Sequence, residues 1–415
     1  MLQIDHVYEF FASTIFRDFT IYFCKDGVIQ PNKDISLEDI HIFNHSYYRT
    51  KKIFFYDQEP LLDKISGGYF DVFNFPEPYT AEELLVLNET DSKPYGFKKE
   101  GQDKIDLYIE DTNRLYNNKT IATSEHSALF NHYGKKYNAH QFYYFFHGFA
   151  ALDWYRGYYA LNYSRPFVRN YQHDFVSYNR IIHGDRSYRI YWISKLVELG
   201  LLPYGQISFN VTDNLFDDWR DEVSDPDTKL SELAKQHAER YLTNIDKLII
   251  DSAELPGSAS ADIPREVDAL WNVVTETVFY YNKLHLTEKI FKPIVSKQPF
   301  MLLAAPGNLA YLRSYGFKTF DGIIDESYDS IQDNDQRIEA VAEQLRWYCN
   351  LSQQEKSRVI ERLMPIVEHN FHHFYGAFKH IITKELLNNC RTLFKEIGYN
   401  DSNIAYDQIY RVLIN

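Results

Sequence analysis

The segment 175–209 restricts the possible fold more than any other stretch, because it reads as a strand, a loop, a helix and a second strand. Residues 175–178 form a short apolar run, 188–199 have the spacing of an amphipathic helix, and 205–209 are again strand-like. Two strands joined through a helix lie parallel, with a right-handed crossover. The pattern therefore predicts an α/β fold built on a parallel sheet.

The loop inside this unit is rich in cationic side chains. It carries Asn179, Arg180 and Arg186, and Arg189 follows in the first turn of the helix. Arginines near a helix start favour a phosphate or diphosphate ligand, through bidentate contacts added to the free helix N–H groups. The alternative is pairing of surface arginines with residues 211–270, which hold fifteen acidic and six basic side chains.

A second candidate site lies in residues 275–300. Glu276 ends a predicted strand, and Thr287, Glu288 and Lys289 open a helix that leads into a buried strand at 299–304. A carboxylate can accept from ribose hydroxyls, while an ammonium and free N–H groups can hold a diphosphate. An ordinary capped helix is the alternative, since Thr is a normal N-cap. Further on, 317–320 read as a strand and 323–329 as an acidic loop.

Residues 1–165 predict a first α/β domain, with strands at 19–23, 52–56 and 72–75. The second of these strands is followed by Asp57 and Glu59. Ligands of open α/β sheets bind beyond the carboxyl ends of the strands, so both acids are candidates for chemistry. A turn at Pro60 with solvated acids is the alternative.

The aromatic run 143–156 carries His147, Asp153, Trp154 and Arg156 among its rings. Core packing is the default interpretation of such a run. A wall on which rings stack against a sugar or a base, with polar groups selecting it, is the other interpretation.

The length of 415 residues predicts two domains, 1–165 and 166–375, with a linker at 162–174 and a helical segment, 376–415, that packs back on the first domain. The net charge of −14 argues against a polyanionic partner, but residues 134–195 hold nine Lys or Arg against three Asp. Three scattered cysteines and a start without signal-peptide character favour the cytoplasm, and no apolar run is long enough to span a membrane. His369, His372 and His373 lack a matching carboxylate motif, so no metal site is predicted.

Several motifs together resemble glycosyltransferases of the GT-B type, in particular bacteriophage enzymes that attach glucose or arabinose to hydroxymethyl-pyrimidines in DNA. They also show a distant similarity to the donor motif of fucosyltransferase-like enzymes. The resemblance covers 175–330 well and the first domain thinly. The motifs are DQEP at 57–60, the arginine loop at 179–189, TET at 275–277, LTEKIFKPI at 286–294, QPF at 298–300, LRSYGFKTF at 312–320 and IDESYD at 324–329.

This resemblance implies two Rossmann-like domains that face one another across a cleft, with a C-terminal helix that crosses back. The second domain would bind a nucleotide sugar, with Glu288 or Glu276 on the ribose. Lys289 and Arg180 would neutralise the diphosphate, assisted by Arg186 or Arg189. The resemblance implies that no metal or other cofactor is essential.

The implied reaction moves a sugar from a nucleotide sugar, with a UDP-sugar favoured, to a hydroxyl. Asp57, Glu59 and Asp153 are the candidate general bases, and His147, Trp154 and Arg156 are the candidate acceptor contacts. The favoured acceptor is a 5-hydroxymethyl-pyrimidine in phage DNA, modified in the host cytoplasm. A surface polysaccharide or protein acceptor and a non-catalytic sugar- or nucleotide-binding protein are the alternatives.

Overall fold

The computed structural model describes residues 118–128, 131, 140–163, 171–209, 218–245, 268–280, 282–396, 398, 402 and 404–414, with strand backbone at 20–22, 24–25, 28–29 and 52–56. The chain divides into two compact units, which we call the first unit (residues 1–153 and 379–415) and the second unit (residues 154–378). The predicted linker at 162–174 falls inside the second unit. Within the described residues no helix combines the length and apolar character needed to cross a bilayer.

Twelve strands and eleven α-helices lie within the described residues. The strands are β1 Thr20–Tyr22, β2 Cys24–Lys25, β3 Val28–Ile29, β4 Lys52–Tyr56, β5 Asn118–Thr123, β6 His126–Ser127, β7 His140–Tyr143, β8 His173–Ser177, β9 Gly205–Ile207, β10 Ala269–Thr275, β11 Lys283–Leu284 and β12 Phe300–Leu303. The α-helices are α1 Phe146–Trp154, α2 Tyr158–Asn162, α3 Tyr188–Glu198, α4 Trp219–Ser224, α5 Glu232–Leu242, α6 Phe291–Val295, α7 Asn308–Ser314, α8 Asn334–Cys349, α9 Gln353–His373, α10 Lys379–Glu396 and α11 Tyr406–Ile414.

The first unit is built on a four-stranded sheet in the order β1-β4-β5-β7, with every neighbouring pair parallel. Helix α10 from the end of the chain packs on β7. Asn389 Nδ2 donates to the Tyr143 carbonyl at 2.8 Å, and His140 Nδ1 lies 3.1 Å from Glu396 Oε2. The last helices of the chain therefore belong to the same compact unit as its first strands.

The second unit is built on a four-stranded parallel sheet in the order β12-β10-β8-β9. All seven residues of β10 are buried, as expected for a strand in a sheet covered on both faces. Helix α3 connects β8 to β9 and packs against α5 and α8. These findings confirm the prediction of an α/β fold with a parallel sheet and of a strand–helix–strand unit over 175–209.

A glycine at the start of β9 permits this packing. A Cβ atom at Gly205 would lie 2.2 Å from Cζ of Phe175, a ring that is fully buried. No side chain fits there without displacing the ring. The small residue is therefore required by the close approach of β9 to the core residue of β8.

The structure corrects the prediction of a strand at 317–320. This stretch joins no sheet; its buried Phe320 ring instead packs against Trp271 and Phe300, with ring centroids 5.5 and 5.0 Å apart. An apolar run of four residues fits a core loop as well as a strand, and here ring packing decides. The predicted helix at Thr287 begins as a 3-10 turn, Glu288–Ile290, and continues into the short α6. The strand predicted at 72–75 lies outside the described residues.

Candidate functional site

The carboxyl ends of β8 and β10 meet at one edge of the second unit's sheet, which we call the carboxyl edge. Tyr178, Asn179 and Arg180 follow β8, and Glu276 and Thr277 follow β10. The two chain segments are joined where the strands end, because Thr275 Oγ1 donates to the Tyr178 carbonyl at 2.8 Å. The tertiary fold thus brings together residues that stand about a hundred positions apart in the sequence.

Two arginines of the loop after β8 keep their guanidinium groups at the surface. Arg180 is exposed and Arg186 is partly exposed. Within the part of the chain that the structure describes, neither guanidinium makes a hydrogen bond or an ion pair. Cations in this state are able to bind an anion without first breaking an internal contact.

Asn179 precedes Arg180 in the chain and is fully buried. Its backbone N–H donates to Ser208 Oγ at 2.8 Å, and its Nδ2 donates to Ser177 Oγ at 3.0 Å. Its Oδ1 accepts no hydrogen bond from any described residue. An unsatisfied buried acceptor costs about 1–3 kcal/mol, and this oxygen lacks a stabilising donor among the described residues.

Arg189 differs from the other two arginines because its side chain is inside the protein. It is 4% exposed. Its Nη1 donates to the Ile181 carbonyl at 2.9 Å and its Nη2 to the Thr275 carbonyl at 2.7 Å. Burial lowers the pKa of its guanidinium. The observed contacts hold the loops after β8 and β10 together, and the predicted contact with a diphosphate remains a prediction.

Glu276 and Thr287 meet at the centre of the carboxyl edge. Thr287 Oγ1 donates to Glu276 Oε2 at 2.5 Å, and Thr287 N–H donates to Glu276 Oε1 at 3.2 Å. As the N-cap of the 3-10 turn, Thr287 Oγ1 also accepts from the Lys289 N–H. The residues of the TET and LTEK motifs therefore form one connected group.

Lys289 places its ammonium on the outer side of this group. Its Nζ lies 3.2 Å from Thr277 Oγ1, 3.3 Å from Thr287 Oγ1 and 3.1 Å from Glu288 Oε1. The Lys289 side chain is 29% exposed and that of Glu288 is 5% exposed. The ammonium is thus held in place while part of its surface still faces solvent.

Two structural residues of this edge were not singled out from the sequence. Arg337 of α8 is 1% exposed and donates to the carbonyls of Ala304 and Phe279, at 3.0 and 2.9 Å. Burial lowers its pKa to about 10. Asp329 accepts from the N–H groups of Leu309 and Ala310 at the start of α7. An arginine on the apolar face of an amphipathic helix was the available signal for Arg337.

In the first unit, helix α1 starts three residues after β7 and contains His147 and Asp153, both buried, at 5% and 8% exposure. The fully buried Glu125, which the sequence reasoning missed, follows β5 and accepts from Ser127 Oγ. The predicted bases Asp57 and Glu59 lie outside the described residues. In the second unit, Trp154 ends α1 with partial exposure and Arg156 is exposed.

The three histidines of α9 bind backbone and carboxylate groups. His369 Nε2 lies 3.0 Å from the Gly316 carbonyl and His373 Nε2 lies 2.7 Å from the Tyr315 carbonyl, while His372 is 3.7 Å from Glu368. Among the residues that the structure describes, no group of three His, Cys, Asp or Glu side chains has metal-binding geometry.

Comparison with known proteins adds little. No protein-family model matches the chain, and no curated protein matches it by sequence. One solved structure with some similarity is that of the DNA-modifying enzyme beta-glucosyltransferase, described with and without its substrate uridine diphosphoglucose. It is 12% identical, with a TM-score of 0.35, over 88% of this chain and 99% of that one. Similarity at this level supports no inference about this chain.

Proposed function

We propose that this chain is a glycosyltransferase that binds a nucleotide sugar at the carboxyl edge of the second unit. The observation that carries the proposal is the pair of cations there. Arg180 follows β8 and Lys289 lies beside the end of β10, and both keep exposed surface. Two accessible cations above neighbouring parallel strands suit a diphosphate, which takes this position in open α/β sheets.

Each residue of the site then has a role set by its surroundings. Lys289 and Arg180 bind the diphosphate, with assistance from Arg186. Asn179, which is buried and hydrogen-bonded to Ser177 and Ser208, is proposed to support the loop that carries Arg180. Glu288 is the proposed ligand of the ribose hydroxyls, and Thr287, whose hydroxyl is hydrogen-bonded to Glu276 and Lys289, supports the site from within.

The transfer step needs these cations. The acceptor oxygen bonds to the anomeric carbon while the bond from that carbon to the diphosphate oxygen breaks, and the acceptor proton passes to a base. Negative charge grows on the departing diphosphate, and fixed cations stabilise it most in the transition state. The candidate bases are still Asp57, Glu59 and Asp153. The two-domain cleft of the GT-B fold remains a prediction of the resemblance.

We propose a UDP-sugar, with glucose or a pentose such as arabinose, as the donor, and a 5-hydroxymethyl-pyrimidine in DNA as the acceptor. The excess of Lys and Arg over Asp in residues 134–195 supports a polyanionic acceptor. That stretch contains His147, Trp154 and Arg156, the proposed acceptor contacts. Enzymes that modify a base take it out of the duplex and stack it on rings, which an aromatic run can supply.

Calorimetric titration with UDP, UDP-glucose, UDP-arabinose and a GDP-sugar tests the donor site. We expect a UDP-sugar to bind. Lys289→Met should lower the affinity for that sugar about ten- to a hundredfold, as for the loss of one charged hydrogen-bonding partner. Lys318→Met is the matched control, since Lys318 is an exposed lysine of the same unit. If none of these nucleotide sugars binds, the proposal is refuted.

The acceptor is tested by incubating the protein and the donor that binds with DNA that contains or lacks 5-hydroxymethyl-pyrimidines, and in parallel with a polysaccharide and a protein. Mass spectrometry then shows which of them gains mass. Mass gain on modified DNA alone supports the DNA acceptor. Mass gain on a polysaccharide or protein supports the alternative acceptor. Donor binding with neither transfer nor slow donor hydrolysis indicates a binding protein without catalysis.

A further inference from the structure

Glu276 is a charged side chain with no contact to solvent, and neutral groups satisfy its carboxylate. It is 0% exposed. Its Oε1 accepts from the Thr287 N–H at 3.2 Å, and its Oε2 accepts from Thr287 Oγ1 at 2.5 Å and from the Thr277 N–H at 3.2 Å. A carboxylate has about four acceptor positions, and two threonines take three of them.

The same two threonines hold the ammonium of Lys289 on their other side. Thr277 Oγ1 and Thr287 Oγ1 accept from Lys289 Nζ at 3.2 and 3.3 Å. Thr287 Oγ1 therefore gives its proton to Glu276 and accepts from Lys289. The chain builds a layered arrangement in which a buried carboxylate fixes two threonines and the threonines fix one cation.

We propose that Glu276 is a positioning residue for Lys289 rather than a ligand of the nucleotide ribose. A ribose hydroxyl would have to replace one of its three hydrogen bonds at a fully buried position. The role explains why a charge is placed there: a carboxylate orders the amide dipoles of both threonines and the hydroxyl dipole of Thr287, so that the Thr287 oxygen points to the ammonium.

Replacement of the carboxylate by an amide breaks the arrangement. In Glu276→Gln the side chain keeps one acceptor oxygen and gains an NH2 group, which cannot accept from the Thr287 or Thr277 N–H groups. Thr287→Val removes the shared hydroxyl and keeps the side-chain shape, whereas Thr287→Ser keeps the hydroxyl. The Ser variant is thus the conservative rescue of the Val variant.

The reactivity of Lys289 toward acetic anhydride, measured by mass spectrometry without any ligand, tests the positioning. We expect the acetylation rate of Lys289, relative to exposed Lys318, to rise several-fold in Glu276→Gln and Thr287→Val and to stay at the wild-type value in Thr287→Ser. Glu326→Gln is the matched control, because Glu326 is another buried glutamate that accepts from a threonine hydroxyl and a backbone N–H. Unchanged Lys289 reactivity in both Glu276→Gln and Thr287→Val overturns the inference.

Titration with inorganic pyrophosphate and with UDP tests whether the positioning of Lys289 affects ligand binding. This test rests on the proposed function. If Glu276 positions Lys289, Glu276→Gln weakens both probes by the same factor, about tenfold. In a protein that already carries Lys289→Met, adding Glu276→Gln then changes the affinity for neither probe. If Glu276→Gln weakens the binding of UDP but leaves the binding of pyrophosphate unchanged, Glu276 is a ribose ligand and the inference is overturned. Wild-type protein that binds neither probe refutes the proposed donor site, while the acetylation rates still decide the positioning.

Discussion

The lysines at the two edges of the second unit's sheet differ in how far they are exposed to solvent. At the edge where the strands begin, which we call the amino edge, Lys356 Nζ lies 2.9 and 2.7 Å from the two oxygens of Asp174, and both side chains are less than 10% exposed. At the carboxyl edge, Lys289 is held by two threonine hydroxyls and by Glu288, and 29% of its side chain is exposed. Both lysines form an ion pair, but Lys356 is buried with its partner, whereas Lys289 still faces solvent.

The difference indicates that Lys356 is a structural cation, whereas Lys289 is available to a ligand. The Lys356 ion pair lies among Tyr348, Tyr171 and Cys349, where burial raises the pKa of the Cys349 thiol to about 12. Such a thiol is inert at neutral pH. At the carboxyl edge, the buried carboxylate of Glu276 is satisfied by neutral donors, and Lys289 pairs with one oxygen of Glu288 while part of its ammonium side chain stays exposed to an outside anion.

The largest expected effect on stability is at the amino edge. Lys356→Met leaves the Asp174 carboxylate buried without its cation, and breaking a buried pair in this way costs about 3–5 kcal/mol. Urea unfolding of the purified variant measures the loss. Adding Asp174→Asn should recover most of it, because the uncompensated charge is then gone. A loss below about 1 kcal/mol in the single variant would contradict the view that this pair is structural.

The corresponding change at the carboxyl edge should separate binding from stability. Lys289→Met is expected to lower the free energy of unfolding by less than Lys356→Met, about 1–2 kcal/mol, because the ammonium is partly solvated and contacts Glu288 through one oxygen, whereas Lys356 contacts both oxygens of Asp174. Nucleotide binding should fall by the larger factor given above. A loss of stability equal to that of Lys356→Met would mean that Lys289 is a structural cation and would remove the contrast between the two edges.

Lys297, also at the amino edge, adds a smaller test. Its φ is 51°, in the left-handed region, and its ammonium contacts Glu368 at 2.9 Å. Lys297→Gly removes the contacts of a side chain that is 3% exposed, but it also relieves the backbone strain of about 1 kcal/mol. Lys297→Ala loses the same contacts and keeps the strain, and should be the less stable variant by about 1 kcal/mol in the same urea assay. Equal stabilities would show that the backbone there is not strained.

The smallest expected effect is on the pH dependence of stability. Burial lowers the pKa of His373 below its ordinary value of 6.5. The unfolded chain then binds this proton more tightly than the folded chain, so the stability contribution is complete above pH 6.5 and decreases as the pH falls through the folded-state pKa. His373→Gln can still donate to the Tyr315 carbonyl and has no such titration. Its unfolding free energy should fall less between pH 7.5 and 5 than that of the wild type, by under about 1 kcal/mol.

Much of the fold of the second unit was predictable from residues 175–209 and 269–304. Apolar runs and helical spacing are local properties, and they place β8, α3, β9, β10 and β12 within a few residues of the observed bounds. The run at 317–320 shows where this approach fails, since only the surrounding rings decide between a strand and a core loop. The role of Arg337 was out of reach for the same reason, because its carbonyl partners come from three separate loops.

The sequence alone determined that arginines follow β8 and that a Thr-Glu-Lys turn follows β10, which is enough to predict an anion site between them. Only the tertiary structure decided which of these charges remain accessible. Arg180 and Arg189 have the same side chain and stand nine positions apart, yet Arg180 is exposed and Arg189 is buried against carbonyls. The reason is that burial and hydrogen-bond partners depend on segments distant in sequence, here Thr275 and Glu276, which no local pattern places beside α3.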